Sequence, residues 1–214
     1  MSSLALYVLS LLLVIAPPGK LPERETRDAG AARYEVAAQS IADAAHFHAA
    51  LWPQGPVDLA RVMVTQAYWS TGFQVEIQNC GKRGPAGEVS LADVQIRTLR
   101  AAVPWELARK PEAELVSYVC GTGYTETRRS FEVMAVLLGR ARAHAARSCP
   151  AKRYPQPIEQ SMFAIYATGH ECVSTNFDWC PECKRMGTLG RLRARTFTAF
   201  PDWYTAPKVQ EPAS

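Results

Sequence analysis

The sequence predicts a mostly α-helical single domain, with a short irregular or β excursion in its middle and an apolar segment ahead of it. Three observations predict this. Stretches free of Gly and Pro alternate with Pro- and Gly-rich breaks along most of the chain. The stretch 127–147 places Phe131, Met134, Leu138, Ala141 and Ala145 on one helical stripe, with arginines on the remaining faces. Finally, 214 residues of which 48% are hydrophobic supply one sizeable core, and no shift in composition calls for a second. The expected division is 1–30 for a leader or anchor plus linker, 31–200 for the folded body and 201–214 for a tail.

The apolar segment 4–16 is interrupted only by Ser10. That is the length of a signal-peptide core and short for a bilayer span. No Lys or Arg precedes it, and Pro17 directly after Ala16 disfavours cleavage there. The expectation is an exported protein, periplasmic, extracellular or tethered to a membrane through 4–16; the alternative is a buried apolar helix. A Pro-rich, charged linker then leads to a folded body that begins near Ala31.

Residues 34–50 are alanine-rich, lack Gly and Pro, and predict a helix stopped by the cluster Trp52-Pro53-Gln54-Gly55-Pro56. Asp58 suits the first turn of the next helix, which Gly72 ends. Residues 74–88 combine alternating Val75 and Ile77 with a Gly- and Pro-containing stretch, and predict a strand or loop rather than a helix. Short helices over 91–101 and 112–120 are set apart by Pro104 and Pro111, and 127–147 is the longest helix. After Pro150, Pro155 and Pro157, residues 158–168 form a compact apolar helix ending at Gly169. The remainder is a Cys-rich turn, a basic stretch and a loosely packed tail.

The formal net charge is +4, from 24 basic and 20 acidic residues spread along the chain. This excludes the concentrated patch of a nucleic-acid binder and suits an anionic wall or membrane face. There is no phosphate loop, dinucleotide fingerprint or Ser-His-Asp order, so no cofactor is expected. Six cysteines, Cys80, Cys120, Cys149, Cys172, Cys180 and Cys183, favour disulfides in an exported chain, with connectivity left open. Cys149 and Cys172 flank the helix 158–168 and are placed to tie its ends, a closure worth roughly 3 kcal/mol. Cys180 and Cys183 close a small loop or pair elsewhere. An alternative is tetrahedral zinc held by His170, Cys172, Cys180 and Cys183, which would make the chain a zinc-stabilised interaction module; the disulfide reading is preferred and no metal is assigned.

Three short elements come in a telling order. Thr71-Gly72-Phe73 ends one helix, Gln95-Ile96 follows a loop, and Ala164, Tyr166 and Gly169 lie in a late helix. Together they resemble the goose-type lysozyme and soluble lytic transglycosylase superfamily, over residues 34–199. The resemblance implies a lysozyme-like helical domain with a groove for peptidoglycan glycan strands. It also implies a glutamate at the end of the first motif helix, where a carboxyl group of raised pKa protonates the glycosidic oxygen. Ser70 occupies that position, and Ala92 and Asp93 replace the glycine and apolar residue of the second motif. A serine hydroxyl is no general acid near neutral pH.

The resulting expectation is a degenerate lysozyme-like domain, a pseudoenzyme that binds peptidoglycan or serves as a structural or partner-binding module in an envelope or virion assembly. The alternative is an active glycan-strand-cleaving enzyme with a relocated acid. Glu76 is the first choice for that acid, with Glu88 and Asp93 after it, and a solvated carboxylate is the competing reading of Glu76. Gln66 and Ser70, four apart on one helical face, are candidates to bind sugar, together with Gln95 and Tyr166. Tyr68 and Trp69 join Tyr166 as stacking candidates, with core packing as the competing reading.

Overall fold

The computed structural model describes residues 1–18, 25–84, 87–148, 158–168 and 193–199. Nine named α-helices account for most of it: α1 (Ser3–Ile15), α2 (Arg27–Phe47), α3 (Pro56–Thr71), α4 (Val75–Gln78), α5 (Ile96–Ala102), α6 (Trp105–Ala108), α7 (Glu112–Val119), α8 (Tyr124–Ser148) and α9 (Ile158–Thr168). A 3-10 turn over Ala49–Leu51 joins α2 to the Pro-rich corner before α3, and a further short helix covers 193–199. The chain is thus mostly helical, as the sequence predicts. Among the described residues the only β feature is an isolated antiparallel bridge between Val89 and Val94.

The core is organised on α2 and α8, which pack on each other while α1 and α3 flank α2 and α7 and α9 flank α8. On α2, Ala37, Ala38, Ala42, Ala44 and Ala45 are buried and small, which lets neighbouring helices approach closely around Ile41. The α8 stripe of Phe131, Met134, Leu138, Ala141 and Ala145 is buried as its spacing demands. Thr26 caps α2 by accepting the Ala29 N–H at 3.2 Å. Pro56 begins α3, and Trp52 Nε1 donates to Asp58 Oδ2 at 2.7 Å, fixing the corner.

The helix end of the first motif forms as expected. Gly72 adopts φ 60°, and its N–H reaches the Tyr68 carbonyl at 2.9 Å, closing α3 with a left-handed cap. Phe73 follows at φ 56° with its ring fully buried beside Tyr34. The Arg33 guanidinium, itself buried and paired with Glu25, donates to the Phe73 carbonyl and to Gln78 Oε1, each at 2.8 Å.

Two elements depart from expectation. Residues 75–78 form α4 rather than a strand: two alternating apolar residues set no register without a partner strand, and the Arg33 contacts close the segment into a turn. The helix expected from Leu91 begins at Ile96 instead. Ser90 and Asp93 take positive φ of 60° and 51°, and the Ser90 hydroxyl accepts the Ala92 N–H, a local bond that competes with helix. The end of the basic stretch opens a short helix over 193–199 with Arg193 and Phe197 buried, where Arg61 Nη2 donates to the Phe197 carbonyl at 3.1 Å; the tail expected over 201–214 lies outside the described residues.

In the N-terminal segment, residues Ser3–Ile15 form a helix packed on α2 and α3, burying Leu4, Ala5, Tyr7, Val8, Leu11 and Leu12 and leaving Leu6, Leu13 and Val14 exposed. No helix among the described residues is long and apolar enough to cross a membrane.

Cys80 and Cys120 form a disulfide that ties the end of α4 to the end of α7 across 40 positions. Closing a loop of that length stabilises by about 4 kcal/mol on a chain-entropy estimate. Cys149, Cys172, Cys180, Cys183 and His170 lie outside the described residues. Among the described residues no cluster of His, Cys, Asp or Glu is built to hold a metal ion.

Candidate functional site

The loop that replaces the expected helix at Leu91 is a tight hairpin, and it positions the site. Val89 and Val94 exchange backbone hydrogen bonds, and the Ala92 N–H donates to Ser130 Oγ on α8 at 3.0 Å. Ser130 in turn donates to Ser90 Oγ at 3.0 Å, so the hairpin is pinned to the central helix by buried polar contacts. With Ser90, Leu91, Ala92 and Val94 buried, the one side chain of the turn left to face outward is Asp93.

Behind Asp93 stands the end of α3. Gln66 is fully buried, and its Nε2 donates to Ser70 Oγ at 2.7 Å. Arg193, also buried, donates from Nη1 to Gln66 Oε1 at 2.9 Å and from Nη2 to Ser70 Oγ at 3.2 Å. Ser70 Oγ thus accepts from two groups that only donate to it, and the Ser70 hydroxyl stands near enough to the Asp93 carboxyl to lower its pKa. The chain Arg193–Gln66–Ser70–Asp93 holds the carboxyl in place from the protein side.

Asp93 is pushed above the ordinary carboxylate range. Burial is the largest cause and the charge of Glu88 adds to it, while the Ser70 hydrogen bond and the Arg193 charge oppose it. Burial pulls Arg193 down from the ordinary arginine value, with the Asp93 charge opposing. Its Nε is buried without a hydrogen-bond partner among the described residues. Tyr166 on α9 donates its hydroxyl to the Ala92 carbonyl at 2.5 Å, and burial, reinforced by Asp93, pushes its pKa upward.

In front of Asp93 opens a groove of about 650 Å3. The hairpin and the start of α5 contribute Glu88, Asp93, Gln95 and Arg97; α8 contributes Arg140, His144 and Arg147; α9 contributes Tyr166. Such a volume is that of a small-ligand or oligosaccharide cleft. A carboxyl group whose pKa burial raises is a candidate proton donor at its wall, and the guanidinium groups of α5 and α8 suit anionic or hydroxyl-bearing ligands.

Of the sequence-predicted site residues, Gln95 and Tyr166 line this groove, as do Glu88 and Asp93. Gln66 and Ser70 are not among its lining residues; Gln66 donates to Ser70, which stands beside Asp93. Glu76 sits exposed on α4 and takes no part in the groove wall, since α4 turns where a strand was expected. Tyr68 is half-buried against the core, and Trp69 donates from Nε1 to Thr196 Oγ1 at 2.8 Å, so neither lines the groove. Sequence reasoning ranked Asp93 below Glu76 and missed Arg193, which lies 123 positions from Ser70. The stripe Arg140, His144 and Arg147 was legible in principle, because spacings of four and three residues place these side chains on one helical face.

No protein-family model, curated protein or solved structure matches the chain.

Proposed function

We propose that the chain is a lysozyme-like module of the transglycosylase type that receives a peptidoglycan glycan strand in this groove, and that Asp93 supplies the acid missing at Ser70. The observation that carries the proposal is the position of Asp93, whose partly buried carboxyl stands beside Ser70 while lining the groove. A serine is shorter than a glutamate, and the room it leaves is entered by a carboxyl group from the opposite hairpin. The helix end supplied the acid in the family pattern; here it supplies the hydrogen bond that orients one.

On this reading the protonated Asp93 gives its proton to the glycosidic oxygen as the bond to the anomeric carbon breaks. The carboxylate so formed takes a proton from the hydroxyl that attacks that carbon. One acid assisted by the substrate suffices for the transglycosylase type of cleavage. Burial keeps Asp93 protonated nearer to neutral pH than an exposed aspartate, as a general acid requires.

A second reading keeps the groove and drops the chemistry: a glycan-binding module of an envelope or virion assembly. It is favoured by Arg193, whose charge stabilises the ionised form of Asp93. Purified sacculi distinguish the two. Clearing of the suspension by the wild-type protein, and binding without clearing by Asp93→Asn, supports the enzyme. Binding without clearing by both supports the module, and absence of binding by both removes either glycan reading. An exported location in the envelope belongs to the same proposal, supported by the Cys80–Cys120 disulfide, which persists in oxidising compartments.

A further inference from the structure

The groove is asymmetric in charge. Its carboxyl groups, Glu88 and Asp93, come from the hairpin, whereas Arg97 comes from the first turn of α5 and Arg140 and Arg147 from the second half of α8. None of these three arginines is ion-paired among the described residues. Arg140 and Arg147 are two helical turns apart, roughly 10 Å along the axis, with His144 between them on the same face. Arg140 is anchored by donating from Nη1 to the Ala101 carbonyl at 2.8 Å, which also ties α8 to α5 at the groove. Guanidinium groups without an ion partner among the described residues thus line one wall of the cleft, with Asp93 on the other. They suit a ligand that carries its own carboxylate, because a guanidinium presents paired N–H donors to the two carboxylate oxygens.

We infer that the α8–α5 wall, Arg140 and Arg147 with Arg97, is a subsite for a carboxylate carried by the glycan strand, and that it sets the direction in which the strand lies. This rests on the glycan reading above. Carboxylates of the substrate are drawn to the arginines and repelled from Glu88, which directs the neutral glycosidic oxygens to Asp93. The carboxylate is either the lactyl group of a strand stripped of peptide or a terminus of the attached peptide stem, and the two sources are separable.

The test is calorimetric titration with three oligosaccharides of equal length, in an Asp93→Asn background so that no strand is cut. One is a neutral N-acetylglucosamine oligomer, one an alternating strand with free lactyl carboxylates, and one the same strand bearing peptide stems. Arg147→Gln, and Arg140→Gln with Arg147→Gln, are compared with the background, with thermal melting as the check on folding. Arg147 is exposed, and its side chain makes no hydrogen bond among the described residues. The expected result is a loss of about tenfold or more in affinity for a carboxylate-bearing strand, with no change for the neutral oligomer. Loss already present with the peptide-free strand assigns the lactyl group, and loss confined to the stem-bearing strand assigns the peptide. Equal affinity of all variants for all strands, or equal loss for the neutral oligomer, overturns the inference and leaves the glycan reading standing. Failure of the background protein to bind any of the three overturns both.

Discussion

Arg193→Met tests whether the buried chain behind Asp93 governs the carboxyl or merely fills space. The substitution removes a guanidinium that donates to Gln66 Oε1 at 2.9 Å and to Ser70 Oγ at 3.2 Å, and replaces it with an apolar chain of similar length. Gln66 is 0% exposed, so its Oε1 is left buried and unpaired, at a cost of about 1–3 kcal/mol. Relief of the desolvation that already pulls the Arg193 pKa down offsets part of that, so a net loss of roughly 1–2 kcal/mol is expected in urea denaturation. The effect on Asp93 has a definite sign. Arg193 is a positive charge that lowers the Asp93 pKa, so its removal moves that pKa further up. A general acid works while protonated, so the alkaline limb of the pH–activity profile on sacculi shifts to higher pH. An unchanged limb together with the stability loss would refute the coupling and leave Arg193 as packing alone.

The remaining predictions concern other parts of the account. Glu76→Gln leaves sacculus clearing unchanged and stability within about 0.5 kcal/mol in denaturant titration, because Glu76 is exposed and outside the groove wall. Gly72→Ala lowers stability by about 1–2 kcal/mol, read as a shift in melting temperature. The backbone at φ 60° is the cause, since a Cβ there meets nothing closer than Gln74 Nε2 at 3.6 Å. Cys80→Ser with Cys120→Ser lowers stability by about 2–4 kcal/mol, and reducing agent lowers the wild type to match, without further effect on the variant.

How far the sequence carried the fold depends on which kind of signal an element uses. Periodicity and breakers are local, and they located α3, α7, α8 and α9 to within a few residues of their ends, whereas α2 begins at Arg27, well before the expected 34. Gly72 was read correctly as a helix end because glycine there answers a local backbone need. The hairpin was not legible: Ser90 and Asp93 adopt positive φ, and what holds them there is Ser130 on a helix 40 residues away. The site suffered in the same way. Ser70 was read from one motif as standing where the resembling family keeps its acid, but the proposed substitute, Asp93, depends on where the hairpin folds and on Arg193 near the end of the chain. Glu76 was preferred because it is near in sequence, and the short helix α4 turns it out to solvent.

The central claim is that Asp93 is a proton donor at the groove wall whose pKa burial raises above that of an ordinary aspartate. Titration of its side-chain carboxyl carbon by NMR, with Asp93→Asn used to assign the resonance, measures this directly. Because burial raises the folded-state pKa, the ionised form is penalised only in the folded protein. The stability contributed by the neutral carboxyl is therefore full below the ordinary aspartate value and is lost as pH rises through the folded value. The account predicts a single carboxyl ionisation above the ordinary aspartate range that coincides with the alkaline limb of sacculus clearing. An Asp93 resonance that titrates at or below the ordinary aspartate value would contradict it.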